Sequence, residues 1–538
     1  MNLIDNSKAT GGPSGAVGRS EDARRMSPAA KIVPAAALFT LGLLLLDVLL
    51  LPFRHVSPFI QDDAFYYFEI ARRIGLGQGS TCDGITKTNG YHPLWLLMLV
   101  PLSPIMNASR EWGARVAIAL AVLLLGGALL LLRAVAARTA PLYAAFALLY
   151  AWSALLFSSV YGMESGLAAC LLGLLLWLIG RRQAPPAVPE ALLIGLVSAL
   201  LVLARLDSVW YVLALDVLWA ARLLRASDRA TGVAPWQALG AAALLQASIM
   251  GGYLAVNYVS FGHLLTVSAL AKAGRFEGVN LAWLHGGLAY IALLSLPLSL
   301  AALWVSRRDP GALPVQVAAA GTLLSLLEII VRGGGETLAW YFTLPVFCGG
   351  LFVSTLLAHA RPNARWPVLW VTAAAAVLFL AVGAYSKLRP GLEPRYAKAL
   401  WVAAHAPKNA VFASPDCGAL SYASERSYLN MDGLTNSFGF QQAIQQDRVP
   451  QWLTKAGLNT FLLMSDHPPL RACDGRRVAD VRIWRGMGGK VPQVHAVLVP
   501  EGPPLADSPF QLWHVVQILP GPSKQVDACT RVSILEPK

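Results

Sequence analysis

Two adjacent carboxylates, Asp62 and Asp63, stand directly before an aromatic stretch in the string QDDAFYYFEIARRIGLGQGSTCDGITKTNGYHPLW, Gln61 to Trp95. A carboxylate beside a membrane boundary loses hydration, so its pKa rises towards that of a usable general base. Asp is also a favoured helix N-cap, which would account for one of the pair without any chemistry. Phe65, Tyr66, Tyr67, Phe68 and Ile70 follow on an amphipathic helix suited to the lipid interface. Glu69 stands at helical spacing from Arg72 and Arg73. Gly75, Gly77 and Gly79 then mark a turn, and the chain returns to the membrane at His92-Pro93.

Further charges recur at the ends of apolar blocks. Glu164, in VYGMESG, starts one such block, where the helix dipole favours an acid. As a second carboxylate it could instead orient an acceptor hydroxyl, or join Asp63 around a divalent cation, Mg or Mn. Arg205 and Asp207, in ARLDS, either neutralise one another at a hairpin tip or belong to a polar cavity. Lys272 and Arg275 lie in the loop 258–283, and Arg332 precedes a run of glycines. Such cations suit a lipid headgroup and a phosphate leaving group equally well.

The elements that must position these residues are helices in lipid. Of 538 residues, 56% are hydrophobic and 14% charged, against about 25% charged in a soluble globule. Eleven spans are expected, at 33–53, 113–133, 141–159, 163–180, 190–204, 208–224, 236–257, 284–305, 313–331, 337–357 and 366–386. The apolar segment 92–106 reaches only about 22 Å against a hydrocarbon core near 30 Å, and Pro101 and Pro104 interrupt it. It reads as a juxtamembrane or re-entrant piece. Leaving it out of the count puts the groups Arg133/Arg138, Arg181/Arg182, Arg222/Arg225/Arg229, Arg307/Arg308 and Arg361/Arg365 on one side with the polar N-terminal tail, as the positive-inside rule asks. The net charge of +13 is then topological and does not imply nucleic acid.

This topology gives a disordered cytoplasmic tail (1–32), a membrane domain (33–386) with its first extracytoplasmic loop at 54–112, and an extracytoplasmic α/β domain (387–538). It gathers Asp62, Asp63, Glu164, Asp207 and Glu336 at the outer face with Arg205, Lys272, Arg275 and Arg332. In the tail, AVFASPD, YLNMDGL and NTFLLMS read as strands and 439–456 as a helix, with HAVLV and WHVVQIL as further strands. The six cysteines form no CxxC pair, which argues against zinc. A disulfide between Cys473 and Cys529 is chemically permitted in an outer domain.

The string DDAFYYFEIARRI with TNGYHPLW resembles the first loop of GT-C class glycosyltransferases, a superfamily that includes protein O-mannosyltransferases, aminoarabinose transferases and arabinofuranosyltransferases. YGMES, ARLDS, NYVSFGHLLTVSALAK and WYFTLPVF extend the similarity, and DCGALSYASERSYLNMDGLTN resembles the soluble domain that follows such membrane parts. The resemblance implies an integral enzyme of a bacterial inner membrane. It would move sugar from a polyprenyl-phosphate donor to a glycan, lipid or protein acceptor of the envelope, on the outer face and with inversion. It implies Asp62 as the base and Asp63 as the second acid. Glu164 would assist, Lys272, Arg275, Arg332 and Arg205 would hold the phosphate, and Tyr66, His92 and Asp207 the acceptor or sugar. A transporter or flippase of lipid-linked glycans would also need polar residues facing a membrane cavity.

Overall fold

The protein is described here from a computed structural model, whose described residues are 28–139, 162–181, 185–227, 233–273, 289–332, 339–360, 395–464, 476–481, 494–500 and 510–520, with a few isolated positions between. It is a polytopic helical membrane protein with a C-terminal sheet domain. Nine of the eleven expected spans are helices: Pro28–Leu50, Arg110–Thr139, Ser165–Ile179, Val188–Ala204, Val209–Ser227, Ala234–Phe261, Ala289–Ser306, Leu313–Arg332 and Thr343–His359. The other two, 141–159 and 366–386, lie outside the described residues. Each helix satisfies its own backbone, which hydrocarbon requires. The stretch 190–224 divides where its charges predict, into two helices joined by a single 3-10 turn, Leu206–Ser208.

Residues 93–108 are broken into Pro93–Leu99, the 3-10 turn Val100–Leu102 and Ser103–Ala108. A proline stands early in each piece, where its missing N–H costs least. This elbow packs against the loop helix Asp62–Gly75.

That loop helix differs from its expected interfacial place. Its residues from Ala64 to Arg73 are buried in protein. Phe65 and Phe68 meet edge-on at 5.6 Å, and both pack on Tyr422 of the tail, at 5.7 and 5.8 Å. Protein, not lipid, covers the aromatic face. Glu69, fully buried, binds Arg72 at 2.7 Å and Arg73 at 2.6 Å, so its charge is neutralised at the expected spacing.

In the tail, β1 (Val411–Ser414) and β2 (Ser427–Asn430) pair in parallel across the helix Gly418–Ser424. A five-stranded sheet has the order β3 (Thr460–Met464), β7 (Phe510–Pro520), β6 (Val494–Pro500), β5 (Arg477–Asp480) and β4 (Leu470–Arg471), antiparallel throughout. The expected single helix over 439–456 is two, Phe438–Gln445 and Val449–Lys455. Asp447 takes a left-handed φ of 52° at the break, and Pro450 opens the second helix.

Glycine sets the closest approach of tail to loop. A Cβ at Gly418 would meet the Asp62 carbonyl oxygen, and one at Gly90 would meet the Leu434 carbonyl. Gly418→Val should therefore lower stability by about 1–3 kcal/mol. We expect a lower unfolding temperature in detergent and faster proteolysis of the tail. Gly240→Ala, where the same atom meets nothing within 4 Å, should change neither.

Candidate functional site

Asp62 opens the loop helix, but it caps a different one. Gln61 is the N-cap residue and makes no side-chain cap bond. The Asp62 carboxylate is buried against the tail, where Oδ2 accepts the Gly418 N–H at 2.6 Å and Oδ1 the Ala419 N–H at 3.0 Å. Arg395 stands 3.7 Å away. Burial raises the Asp62 pKa, while Arg395 and the two N–H groups oppose the rise. One turn on, the Tyr66 hydroxyl accepts the Cys417 N–H at 2.9 Å and the Asn430 amide at 2.6 Å, and donates to Asp432 at 3.4 Å. Its pKa is driven well up by burial and by the Asp432 charge. Asp62 and Tyr66 thus grip the tail from one face of the helix.

Asp63, about 100° further round the helix, lines a small cavity of about 60 Å³ together with Tyr67, His92, Glu164, Trp340 and Thr435. Glu164 comes from the N-terminus of the helix Ser165–Ile179. It follows Gly162, whose φ of +87° suits glycine and whose carbonyl accepts the Trp95 indole N–H at 3.1 Å. Its Oε1 receives Arg205 at 3.1 Å, and its buried Oε2 has no hydrogen-bond partner. Arg205 also binds Asp207 through two bonds, of 2.9 and 2.6 Å. Burial would lower the Arg205 pKa, but the two carboxylates outweigh it and raise it. His92 Nδ1 accepts the Leu206 N–H at 3.2 Å, so the neutral ring carries its proton on Nε2, 3.7 Å from Glu164. The Tyr67 hydroxyl accepts the His92 N–H at 3.2 Å, and burial followed by the Glu164 charge raises its pKa.

The TNG segment sets the cavity's far wall. Asn89 accepts the Val267 N–H at 2.8 Å and donates to Asn257 at 3.3 Å, fixing the start of the helix Val267–Ala273. That helix brings Ser268 to the cavity. The roof is the tail's turn after Asp432, whose Oδ1 accepts the Leu434 N–H at 2.9 Å. Burial pushes the Asp432 carboxyl up to about 6.

Among solved structures, apo ArnT from Cupriavidus metallidurans is similar over 81% of this chain and 93% of that one, with 14% identity and a TM-score of 0.50. The chain has a GT-C type fold. ArnT from the same organism bound to undecaprenyl phosphate (16% identity, 81% and 93% covered, TM-score 0.49) and the Archaeoglobus fulgidus oligosaccharyltransferase complex with Zn and sulfate (13%, 80% and 68%, 0.47) are also similar. A family model described as a domain of unknown function (DUF8728) matches residues 387–513. Comparison with curated proteins gives no match.

Within this GT-C type fold, Asp63, Tyr66, His92 and Glu164 share the cavity, with Arg205 and Asp207 directly behind Glu164. Arg205 is held between two carboxylates, so it is a bridge more than a waiting phosphate ligand. Arg275 and Glu336 lie outside the described residues, as do Cys473 and Cys529. Lys272 and Arg332 are placed by backbone alone, in the helices Val267–Ala273 and Leu313–Arg332. Among the described residues no three His, Cys, Asp or Glu side chains gather as a metal site. With Glu164 already bound to Arg205, Asp63 and Glu164 are a sparse donor set for Mg or Mn, which take about six oxygens. Tyr67, expected at the lipid interface, lines the cavity instead, as its i, i+4 spacing from Asp63 signals, and Trp340 and Thr435 join it with no spacing rule to signal them.

Two outcomes follow for the junction. Asp62→Ala leaves two buried N–H groups unpaired, a loss of about 1–3 kcal/mol, and should free the tail to protease. Asp432 carries a folded pKa near 6 against 3.8 as its ordinary value. Its contribution is full below about pH 4 and lost as pH rises through 6, by at most about 3 kcal/mol. Unfolding temperatures of Asp432→Asn and wild type should therefore converge at pH 4 and separate at pH 7 in favour of the variant.

Proposed function

We propose that the chain is a membrane glycosyltransferase that moves sugar from a polyprenyl-phosphate donor to an envelope acceptor, with Asp63 as the general base. The observation that carries this reading is the cavity that Asp63, Tyr67, His92 and Glu164 line together. The loop motif implies Asp62 as the base. Asp62 is turned to the tail, where both its oxygens accept backbone N–H groups, whereas Asp63 lines the cavity, and this place favours Asp63. The similarity to ArnT contributes the fold alone.

Asp63 accepts the proton of an acceptor hydroxyl, whose oxygen attacks the anomeric carbon. The bond from that carbon to the phosphate oxygen breaks, polyprenyl phosphate leaves with the electron pair, and the configuration inverts. The unpartnered Glu164 Oε2 is an acceptor suited to orienting a sugar or acceptor hydroxyl. Arg205 and Asp207 act by fixing Glu164. Lys272, Arg275 and Arg332 remain the candidates for the phosphate, and no step is routed through a metal. A cavity of about 60 Å³ holds about two waters, so a sugar ring enters only where the walls part. We place the site on the extracytoplasmic face of an inner membrane, with the N-terminus cytoplasmic and residues 387–538 forming an outer domain.

The test is release of polyprenyl phosphate from labelled polyprenyl-phosphate sugars by the purified protein. Asp63→Asn should lower that rate by about 10²–10⁴ with the unfolding temperature unchanged. Asp62→Asn keeps one acceptor oxygen and should keep measurable turnover while loosening the tail. Wild-type turnover in Asp63→Asn would overturn the base assignment. Movement of intact donor across a bilayer without release would instead favour a transporter.

A further inference from the structure

A second and larger cavity, of about 730 Å³, lies at the opposite membrane face from Asp63. It forms where five membrane helices end: the C-termini of Ser165–Ile179, Val209–Ser227 and Ala289–Ser306, and the N-termini of Val188–Ala204 and Leu313–Arg332. The helix Val188–Ala204 runs from this cavity to Arg205 beside Glu164, about 25 Å at 1.5 Å per residue.

Its lining is of two kinds. Arg181, Arg222, Arg225, Arg307 and Arg308 ring it, against two acids, Glu190 and Asp309. Among the described residues Arg181, Arg225, Arg307 and Arg308 enter no ion pair. Neighbouring groups fix some of the arginines in place. Arg222 donates to Gln316 at 2.9 Å, Arg307 to the Trp304 carbonyl at 2.8 Å, and Arg181 stacks over Trp177 at 4.6 Å. Beneath the ring the wall is apolar, with Ile194, Leu215 and Trp219, and Leu193, 45% exposed, forms its edge.

We propose that this cavity binds an anionic membrane phospholipid, with the phosphate among the arginines and an acyl chain along the apolar wall. Guanidinium forks match phosphate oxygens, and a basic pocket between membrane helices suits a phosphate headgroup. A net positive ring without an apolar wall would suit a free anion. An apolar wall without the ring would suit a zwitterionic lipid. Only an anionic amphiphile uses both.

The test is native mass spectrometry of the full-length protein with phosphatidylglycerol, phosphatidylcholine, undecaprenyl phosphate or inorganic phosphate. Wild type should retain phosphatidylglycerol over phosphatidylcholine by at least about tenfold, taking about 1 kcal/mol per basic residue. Raising ionic strength should reduce that preference. R225A/R308A should abolish the preference, and R225K/R308K should retain most of it. An equal ratio in wild type and R225A/R308A, with both folded by unfolding temperature, overturns the proposal. If R225A/R308A does not fold, a wild-type preference indifferent to salt overturns it. Displacement of the lipid by millimolar inorganic phosphate would assign a free-anion site, and stronger retention of undecaprenyl phosphate than of phosphatidylglycerol would assign the donor lipid. Either result overturns it too.

Discussion

The carboxylate of Asp62, buried between a membrane loop and a soluble domain, is the interaction on which the arrangement depends. A charged carboxylate in such a place is stable only if donors surround it. Here the donors are the first two N–H groups of the tail helix Gly418–Ser424. A helix start leaves N–H groups without intrahelical partners, so the two deficits cancel. The consequence reaches well past one cap. Once Gly418 is seated on Asp62, Tyr422 of the same helix lies on Phe65 and Phe68, and Tyr66 reaches Cys417, Asn430 and Asp432. The turn that follows Asp432 then becomes the roof over Asp63.

Helical geometry explains why two adjacent aspartates have such different surroundings. Successive residues point about 100° apart, so one faces the tail and the next faces the cavity. The sequence cannot express that division, because both are acids at the head of one helix. A similar economy governs the ions beneath. Glu164 and Arg205 are buried and Asp207 is partly exposed, and each pair bond offsets a desolvation cost that a lone buried ion could not. Arg205 therefore acts through its neighbours: its pairing with Asp207 is legible in ARLDS, whereas its bond to Glu164, on another helix, is not.

Much of the fold was legible because lipid imposes a strong grammar. Length and apolar composition located nine helices, four of them among the described residues long and apolar enough to cross a membrane, and the prolines at 101 and 104 broke the elbow where they stand. The strands over 411–414, 460–464 and 510–520 followed from β-rich runs. The short pieces β4 and β5 carried too few residues to make a pattern. The loop helix was read as interfacial because its aromatic face is what lipid would select, and what covers it is a domain more than 300 residues away in sequence. Long-range docking of this kind leaves no periodic trace. The likeness of TNGYHPLW to a known first loop marked that segment as belonging to the site, while the likeness around DGLTN marked only a soluble domain. It could not tell that Gly90 and Leu434 meet.

The two sides of the cavity are held by different means. Its floor is made of membrane helices whose polar groups are locked: His92 by the Leu206 N–H, Tyr67 by the His92 N–H, Glu164 by Arg205. Its roof hangs on Asp432, a buried acid whose pKa sits near 6 because burial disfavours its charge. Locked polar groups keep their positions through a reaction and so cost little reorganisation. The turn itself is bonded within the tail, where Asp432 accepts the Leu434 N–H, Asn430 the Thr435 N–H, and the Gly433 carbonyl the Gln441 amide at 3.1 Å. Each wall of the cavity is therefore bonded within its own part of the chain, and the two parts meet at the seam that Asp62 and Gly418 make, so any opening of the site depends on that seam.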